Sequence, residues 1–306
     1  MADPHPASPQ EHGLPCLAPG LVVFVGVAAM AWASILIRWA SAPPLVVGAG
    51  RLALATLFLL PWAGPAVRAE WRGLGRLGSA QLALSGVALG VHFGAWIASL
   101  HLTTVGSSVV LVTTTPLFVA LASGVVLHER VSRAMIAGVL LAMVGAAAIG
   151  VGDVQAALRG ALAGDLLALL GALMAAVYVL LGRVLRRQLS LLAYVLPTYG
   201  LAAMVLVAAS MVARQPLWGY SPRVYLLLAL LALGPQLVGH TAVNWALRYV
   251  SPTYVTVAIL GEPLGATLLA LVFLGERPSY VLIAGGTALL VGIVLASSSE
   301  RQGSAA

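Results

Sequence analysis

A handful of side chains in this sequence have the types and spacing for polar chemistry inside an otherwise apolar chain. Gln236, His240 and Asn244 recur at every fourth position, which on a helix lays an amide, an imidazole and a second amide along one stripe. Gly234-Pro235 stands beside that stripe, and a proline that donates no backbone hydrogen bond can kink a helix and free carbonyls for solute or water. The stripe suits a small polar ligand. Gln81, Ser85, His92, Trp96 and Ser99 follow at intervals of 4, 7, 4 and 3 and form a second polar face, expected to line a cavity. Gly86, Gly90 and Gly94 run beside it as a small-residue ridge that favours close helix packing. Arg51 and Glu262 lie within apolar runs. An ionisable group near a bilayer centre costs at least about 2.5–3.5 kcal/mol, so each needs a partner or a wet cavity. Glu262 reads either as a proton-coupling or amine-binding carboxylate, since burial raises a carboxyl pKa, or as the structural ion-pair partner of Arg51. Trp32, Trp96, Tyr178 and Tyr199 offer aromatic faces to an ammonium group. Trp39, Trp62, Trp218 and Tyr220 suit interfacial anchors instead.

Other chemistries find little support. His92 and His240 belong to no H-E-x-x-H pattern, and Ser107-Ser108 has no base nearby in sequence, which disfavours an intramembrane hydrolase or metalloenzyme. The phosphate-cradling loop G-x-x-x-x-G-K-[ST] is missing and the chain has no lysine at all, so energy must come from a gradient or exchange. The lone Cys16 supports neither a disulfide framework nor a zinc site, and no cofactor is expected.

The elements that must position these residues are set by composition. The 306 residues are 61% hydrophobic and only 8% charged, whereas soluble domains carry about 25% charged residues. A bilayer core needs about 20 apolar residues per helix. Apolar runs predict an all-α polytopic membrane protein with ten transmembrane helices, at Leu21–Trp39, Leu45–Trp62, Ala80–Leu100, Gly106–Leu127, Ala134–Val151, Leu166–Leu185, Leu191–Val212, Tyr225–Leu247, Tyr254–Leu274 and Tyr280–Ser297. Residues 1–20 read as a cytoplasmic tail rather than a signal peptide, because no Lys or Arg precedes an apolar core there. Residues 153–163 read as a linker and 298–306 as a second cytoplasmic tail.

The net charge of +7 comes from arginines that mostly sit between apolar runs, a topology signal and not a nucleic-acid patch. Arg68, Arg72 and Arg76, then Arg130 and Arg133, then Arg183, Arg186 and Arg187, then Arg248 all fall on one side; Arg159, Arg214, Arg223 and Arg277 fall on the other. The positive-inside rule therefore places both termini in the cytoplasm of an inner-membrane protein.

The sequence also repeats itself. Pro116-Leu117 matches Pro263-Leu264, Leu127-His-Glu-Arg-Val-Ser132 matches Leu274-Gly-Glu-Arg-Pro-Ser279, Gly138 matches Gly285 and Gly145 matches Gly292, all 147 residues apart. Gly26 to Arg38 aligns with Gly171 to Arg183 at a spacing of 145. The units span 21–152 and 164–297, five helices each. An odd number of spans inserts the second copy with opposite orientation, giving inverted repeats suited to alternating access.

Trp32-Ala33-Ser34, Arg51, Ser107-Ser108 leading to Pro116, the Glu129-Arg130-Val-Ser132 turn, Tyr178, Glu262-Pro263 and Gly275-Glu276-Arg277 together resemble the drug/metabolite transporter superfamily, in the form that carries two EamA-type repeats. The resemblance covers nearly the whole chain. It implies a secondary transporter of small solutes in a lipid bilayer, with amino acids or related metabolites as the expected export cargo and a monomer or homodimer as the expected assembly. A facilitative channel or an exchanger for another small solute is the alternative. One departure stands out: Thr113-Thr114-Thr115 precedes Pro116, where Glu262 precedes Pro263.

Overall fold

Proline opens helix after helix in this chain. Its φ is already near the helical value, and it has no N–H to leave unpaired in a first turn. Pro19, Pro44, Pro65, Pro222 and Pro252 accordingly stand at helix starts. A computed structural model describes residues 17–102, 108, 111–127, 132–151, 162–274 and 280–304. Their regular elements are all helical. In the first half these are α1 (Pro19–Trp39), α2 (Pro44–Leu59, continued by a 3-10 turn to Trp62), α3 (Pro65–Gly73), α4 (Arg76–Leu102), α5 (Thr115–Val126) and α6 (Arg133–Val151). The second half has α7 (Leu162–Arg186), α8 (Leu191–Val212), α9 (Pro222–Leu231), a π-helical segment Ala232–His240, α10 (Thr241–Ala246), α11 (Pro252–Ile259), α12 (Gly261–Leu274) and α13 (Tyr280–Ser304).

Among the described residues, seven helical stretches are long and apolar enough to cross a membrane, and three further apolar helices, Thr115–Val125, Arg133–Gly145 and Ile283–Ala296, are shorter. Their outer surface carries many large apolar side chains. Phe24, Val125, Val212 and Val272 are all exposed, which is the arrangement lipid requires and water would penalise. Trp62 and Trp218 are exposed as well, as interfacial anchors should be.

The helices depart from the hydropathy spans at particular places. α3 has no hydropathy signal because Arg68, Glu70 and Arg72 break up its apolar residues. It docks by polar contacts: Glu70 Oε2 accepts the Ser190 N–H at 2.6 Å, just ahead of α8, and Trp71 Nε1 donates to the Ala193 carbonyl at 2.8 Å. The expected span 106–127 is interrupted by a turn at Thr113-Thr114, with helical residues 111–112 before it and α5 from Thr115 after it. The span 254–274 breaks at Leu260, so Glu262 sits in the first turn of α12 and not mid-helix. Pro263, which has no N–H to give the Ile259 carbonyl, favours that break. α13 runs on to Ser304, through much of the expected tail. Arg186, read as a topology marker, is buried; its guanidinium donates to the carbonyls of Asn244 and Leu189. Cys16, Ser107, Glu129-Arg130, residues 153–161 and Gly275-Glu276-Arg277 lie outside the described residues.

Repeat-related elements meet one another. A Cβ added to Gly138 would lie 2.8 Å from the Gly292 carbonyl oxygen, and one on Gly145 would lie 2.5 Å from that of Gly285. Thus α6 and α13 touch backbone to backbone and run antiparallel. Gly138 is the counterpart of Gly285 and Gly145 that of Gly292, so each helix offers its partner the same two glycines, the signature of a local two-fold axis. The same symmetry recurs elsewhere. A Cβ on Gly26 would lie 3.0 Å from the Gly239 carbonyl oxygen and one on its counterpart Gly171 would lie 3.5 Å from that of His92, and Gly239 is 147 residues beyond His92. The α4 ridge serves packing: a Cβ on Gly86 or Gly90 would sit 2.8 Å from Leu201 or 2.7 Å from Val205 of α8.

Candidate functional site

The polar stripe of the second half begins in the π-helical segment. Pro235 cannot donate a backbone hydrogen bond, and the ladder here widens to bonds between residues five apart: the Gln236 carbonyl receives the Thr241 N–H, and also its Oγ1 at 3.3 Å. Such a bulge is a common device for turning a side chain inward at a functional site. Gln236 and Asn244 are both fully buried, and His240 is half-buried between them.

Gln236 and Asn244 join one hydrogen-bonded network. Arg51 of α2 donates from Nε and Nη2 to Gln236 Oε1, at 2.9 and 2.7 Å. Its guanidinium carbon lies 4.8 Å from the centroid of the Phe93 ring, a cation–π contact. Tyr178 of α7 donates to Asn244 Oδ1 at 2.8 Å, and Asn244 Nδ2 donates to the Tyr199 hydroxyl at 3.2 Å. That hydroxyl also meets Thr241 Oγ1 at 3.1 Å, which leads back to Gln236. The chain of contacts thus runs from Arg51 in the first half to Asn244 and Tyr178 in the second.

His240 packs edge-on against Phe93 at 5.6 Å between centroids. The two are repeat counterparts, 147 residues apart, so this contact lies where the two-fold relation brings the halves together. His92 directs Nδ1 to the Gly171 carbonyl at 2.8 Å. A carbonyl only accepts, so Nδ1 carries the proton, and in the neutral ring Nε2 is left as an acceptor. The His92 ring stacks parallel to Trp96 at 6.4 Å. Both histidines and Glu262 lie within electrostatic range of Arg51. Glu262 is half-buried at the amino end of α12, where the helix dipole favours a negative charge. Its counterpart Thr115 occupies the first turn of α5, with Oγ1 on the Val112 carbonyl at 2.8 Å. Both halves therefore break a helix at the same place, but only the second puts a carboxylate there.

Nine of the ten residues singled out from sequence fall in or beside this network. Trp32 is the exception: its ring packs on Phe273 at 5.0 Å, eleven residues or about 16 Å along α12 from Glu262. The rest of the α4 face departs from the cavity expectation. Ser85 is buried against the Tyr194 hydroxyl at 2.7 Å and Ser99 against the Ser108 hydroxyl at 2.6 Å, both helix-to-helix bonds. Sequence reasoning missed Phe93 and Thr241. Phe93 was within reach, as the repeat counterpart of His240; Thr241 carries no spacing signal.

Residues 18–151 and 162–298 each match the model of the EamA-like transporter family. No curated protein matches the chain. A solved structure described only as "Crystal structure of protein" superposes with a TM-score of 0.77 over 93% of this chain and 98% of its own, at 17% identity, a likeness of fold alone. With the family model matched twice, over both halves and on seven helical stretches long and apolar enough to cross a membrane, the chain belongs to the EamA-like transporter family of multi-pass membrane proteins that move small solutes.

Proposed function

We propose that this chain is a secondary transporter of the inner membrane that exports small polar metabolites, amino acids or their derivatives, by alternating access. The reading takes the helices as ten spans in two inverted five-helix units with both termini cytoplasmic. One observation carries it: repeat counterparts meet about a two-fold relation, in α6 against α13 and in Phe93 against His240, and the polar network lies at that junction. Two similar halves around a central polar site can exchange conformations and so open the site to each side in turn. The broken helices α5 and α12 bring two helix amino ends into the membrane-spanning region, as carriers with discontinuous helices do. Buried polar groups are costly in a bilayer unless they meet a polar solute or one another.

Trp32, His92, Trp96, Tyr178, Tyr199, Gln236, His240 and Asn244 are proposed to contact substrate, with Trp32 furthest from the network. Arg51 and Glu262 are the candidates for coupling. The test is counterflow in proteoliposomes loaded with amino acids. Saturable exchange is expected, reduced by His92→Ala, Asn244→Ala and Glu262→Gln; unchanged flux in all three variants removes the site assignment, and non-saturable flux favours a channel.

A further inference from the structure

The Arg51–Gln236 contact leaves two loose ends. Gln236 turns its oxygen to Arg51, and its Nε2 is then fully buried with no hydrogen-bond partner among the described residues. The neighbouring Tyr199 hydroxyl is near the Gln236 side chain, but Nε2 does not meet it with the distance and angle of a hydrogen bond. A buried amide N–H left without an acceptor costs about 1–3 kcal/mol. Arg51, for its part, uses Nε and Nη2 on a single oxygen although a guanidinium has five N–H donors. Packing alone asks for none of this. The repeat counterpart of Gln236 is Leu89, which is buried just as fully on apolar contacts.

We propose that Arg51 and Gln236 form the carboxylate subsite of the transported solute, and that the solute is a zwitterion whose ammonium group faces Glu262. The inference rests on the amino-acid reading above and sharpens it. A carboxylate accepts both from the guanidinium edge and from Nε2, satisfying the Gln236 donor that is left without a partner among the described residues. Charge favours the zwitterion. Arg51 and an ionised Glu262 are opposite charges in electrostatic range of each other, so with both charged a zwitterion adds no net charge to a poorly solvated site, whereas a lone carboxylate or a lone amine adds one. The subsite also joins the halves, Arg51 from the first and Gln236 and Glu262 from the second, which is what a substrate that drives their rearrangement must do.

The discriminating variant is Gln236→Glu. It keeps an acceptor for Arg51, so the protein should fold and purify with its melting temperature largely intact, yet it replaces the idle donor with a second carboxylate oxygen that repels an incoming carboxylate. The probes are the twenty common L-amino acids and their methyl esters, read as shifts in melting temperature of the purified full chain and as counterflow in proteoliposomes. In the unmodified protein at least one free amino acid should bind more tightly than its methyl ester, by about ten- to a hundredfold. Gln236→Glu should abolish that preference, and Arg51→Lys should reduce it. Esters that bind and exchange as well as the free acids overturn the carboxylate subsite and leave the transporter reading standing, as does a Gln236→Glu variant that retains the acid preference. If neither acids nor esters bind or exchange, the amino-acid reading itself falls, and this inference with it.

Discussion

Gln236 Oε1 accepts both hydrogen bonds of the Arg51 guanidinium, across 185 residues of sequence. Arg51 is buried, and a charged donor deprived of its acceptor there is expensive, about 1.5–3 kcal/mol per hydrogen bond. Gln236→Leu should therefore lower the melting temperature of the purified protein. The double variant Arg51→Met with Gln236→Leu should recover more than half of the loss, because no cation is then left unsatisfied. Additive losses in the double variant would show that the two side chains do not act as a pair.

The α6–α13 contact makes a sharp steric prediction. A Cβ on Gly145 would lie 2.4 Å from the Leu289 backbone nitrogen, and backbone cannot rotate aside as a side chain can. Gly145→Ala should cost about 1–3 kcal/mol by prising the helices apart. Gly124→Ala in α5 is the control, since nothing lies within 4 Å of the added Cβ. There alanine should be neutral or gain up to about 1 kcal/mol from helix propensity. Equal thermal stability of the two variants would count against the two-fold packing.

α3 is held at its carboxyl end by Glu70 and Trp71. Glu70→Ala removes the acceptor for the Ser190 N–H at the start of α8, an interaction worth about 1 kcal/mol at helix amino ends. Faster proteolysis within residues 65–73, with little change in global melting temperature, is the expected outcome. Protection unchanged from the parent would mean that Trp71 alone anchors the helix.

Two neighbouring tyrosines should separate function from packing. Tyr178 and Tyr194 stack at 6.4 Å, but Tyr178 donates to Asn244 in the network whereas Tyr194 bonds Ser85 between helices. Tyr178→Phe frees Asn244 Oδ1 and should cut counterflow about tenfold, for a lost hydrogen bond of about 1.4 kcal/mol. Tyr194→Phe should lower thermal stability while leaving the flux per folded molecule near that of the parent. The reverse pattern would move the site away from Asn244.

Much of the helical layout was legible from periodicity and hydropathy, because a segment in lipid must satisfy its backbone internally and must be apolar over most of its length. Leu191–Val212 was read end to end. α3 escaped because an amphipathic helix with three charges looks like a loop to a hydropathy window. The break ahead of Glu262 was foreshadowed by Pro263, but proline permits a break without requiring one. For the site, spacing put Gln236, His240 and Asn244 on one stripe, yet it gave no sign that Arg51 bonds Gln236. A carboxylate looked like its natural complement; the bonded acceptor is an amide from the facing helix.

By itself the sequence determined that this is a membrane-spanning, all-helical chain with two related halves, because composition, periodicity and a 147-residue repeat are properties of the chain read in order. Only the tertiary structure decided which of those residues meet. It set α6 against α13, His240 against Phe93, and Arg51 against Gln236 with one amide N–H left unpaired. Hydrogen bonds and close backbone contacts depend on distance and direction in space, and a contact between residues 185 apart leaves no periodic trace in the chain that makes it.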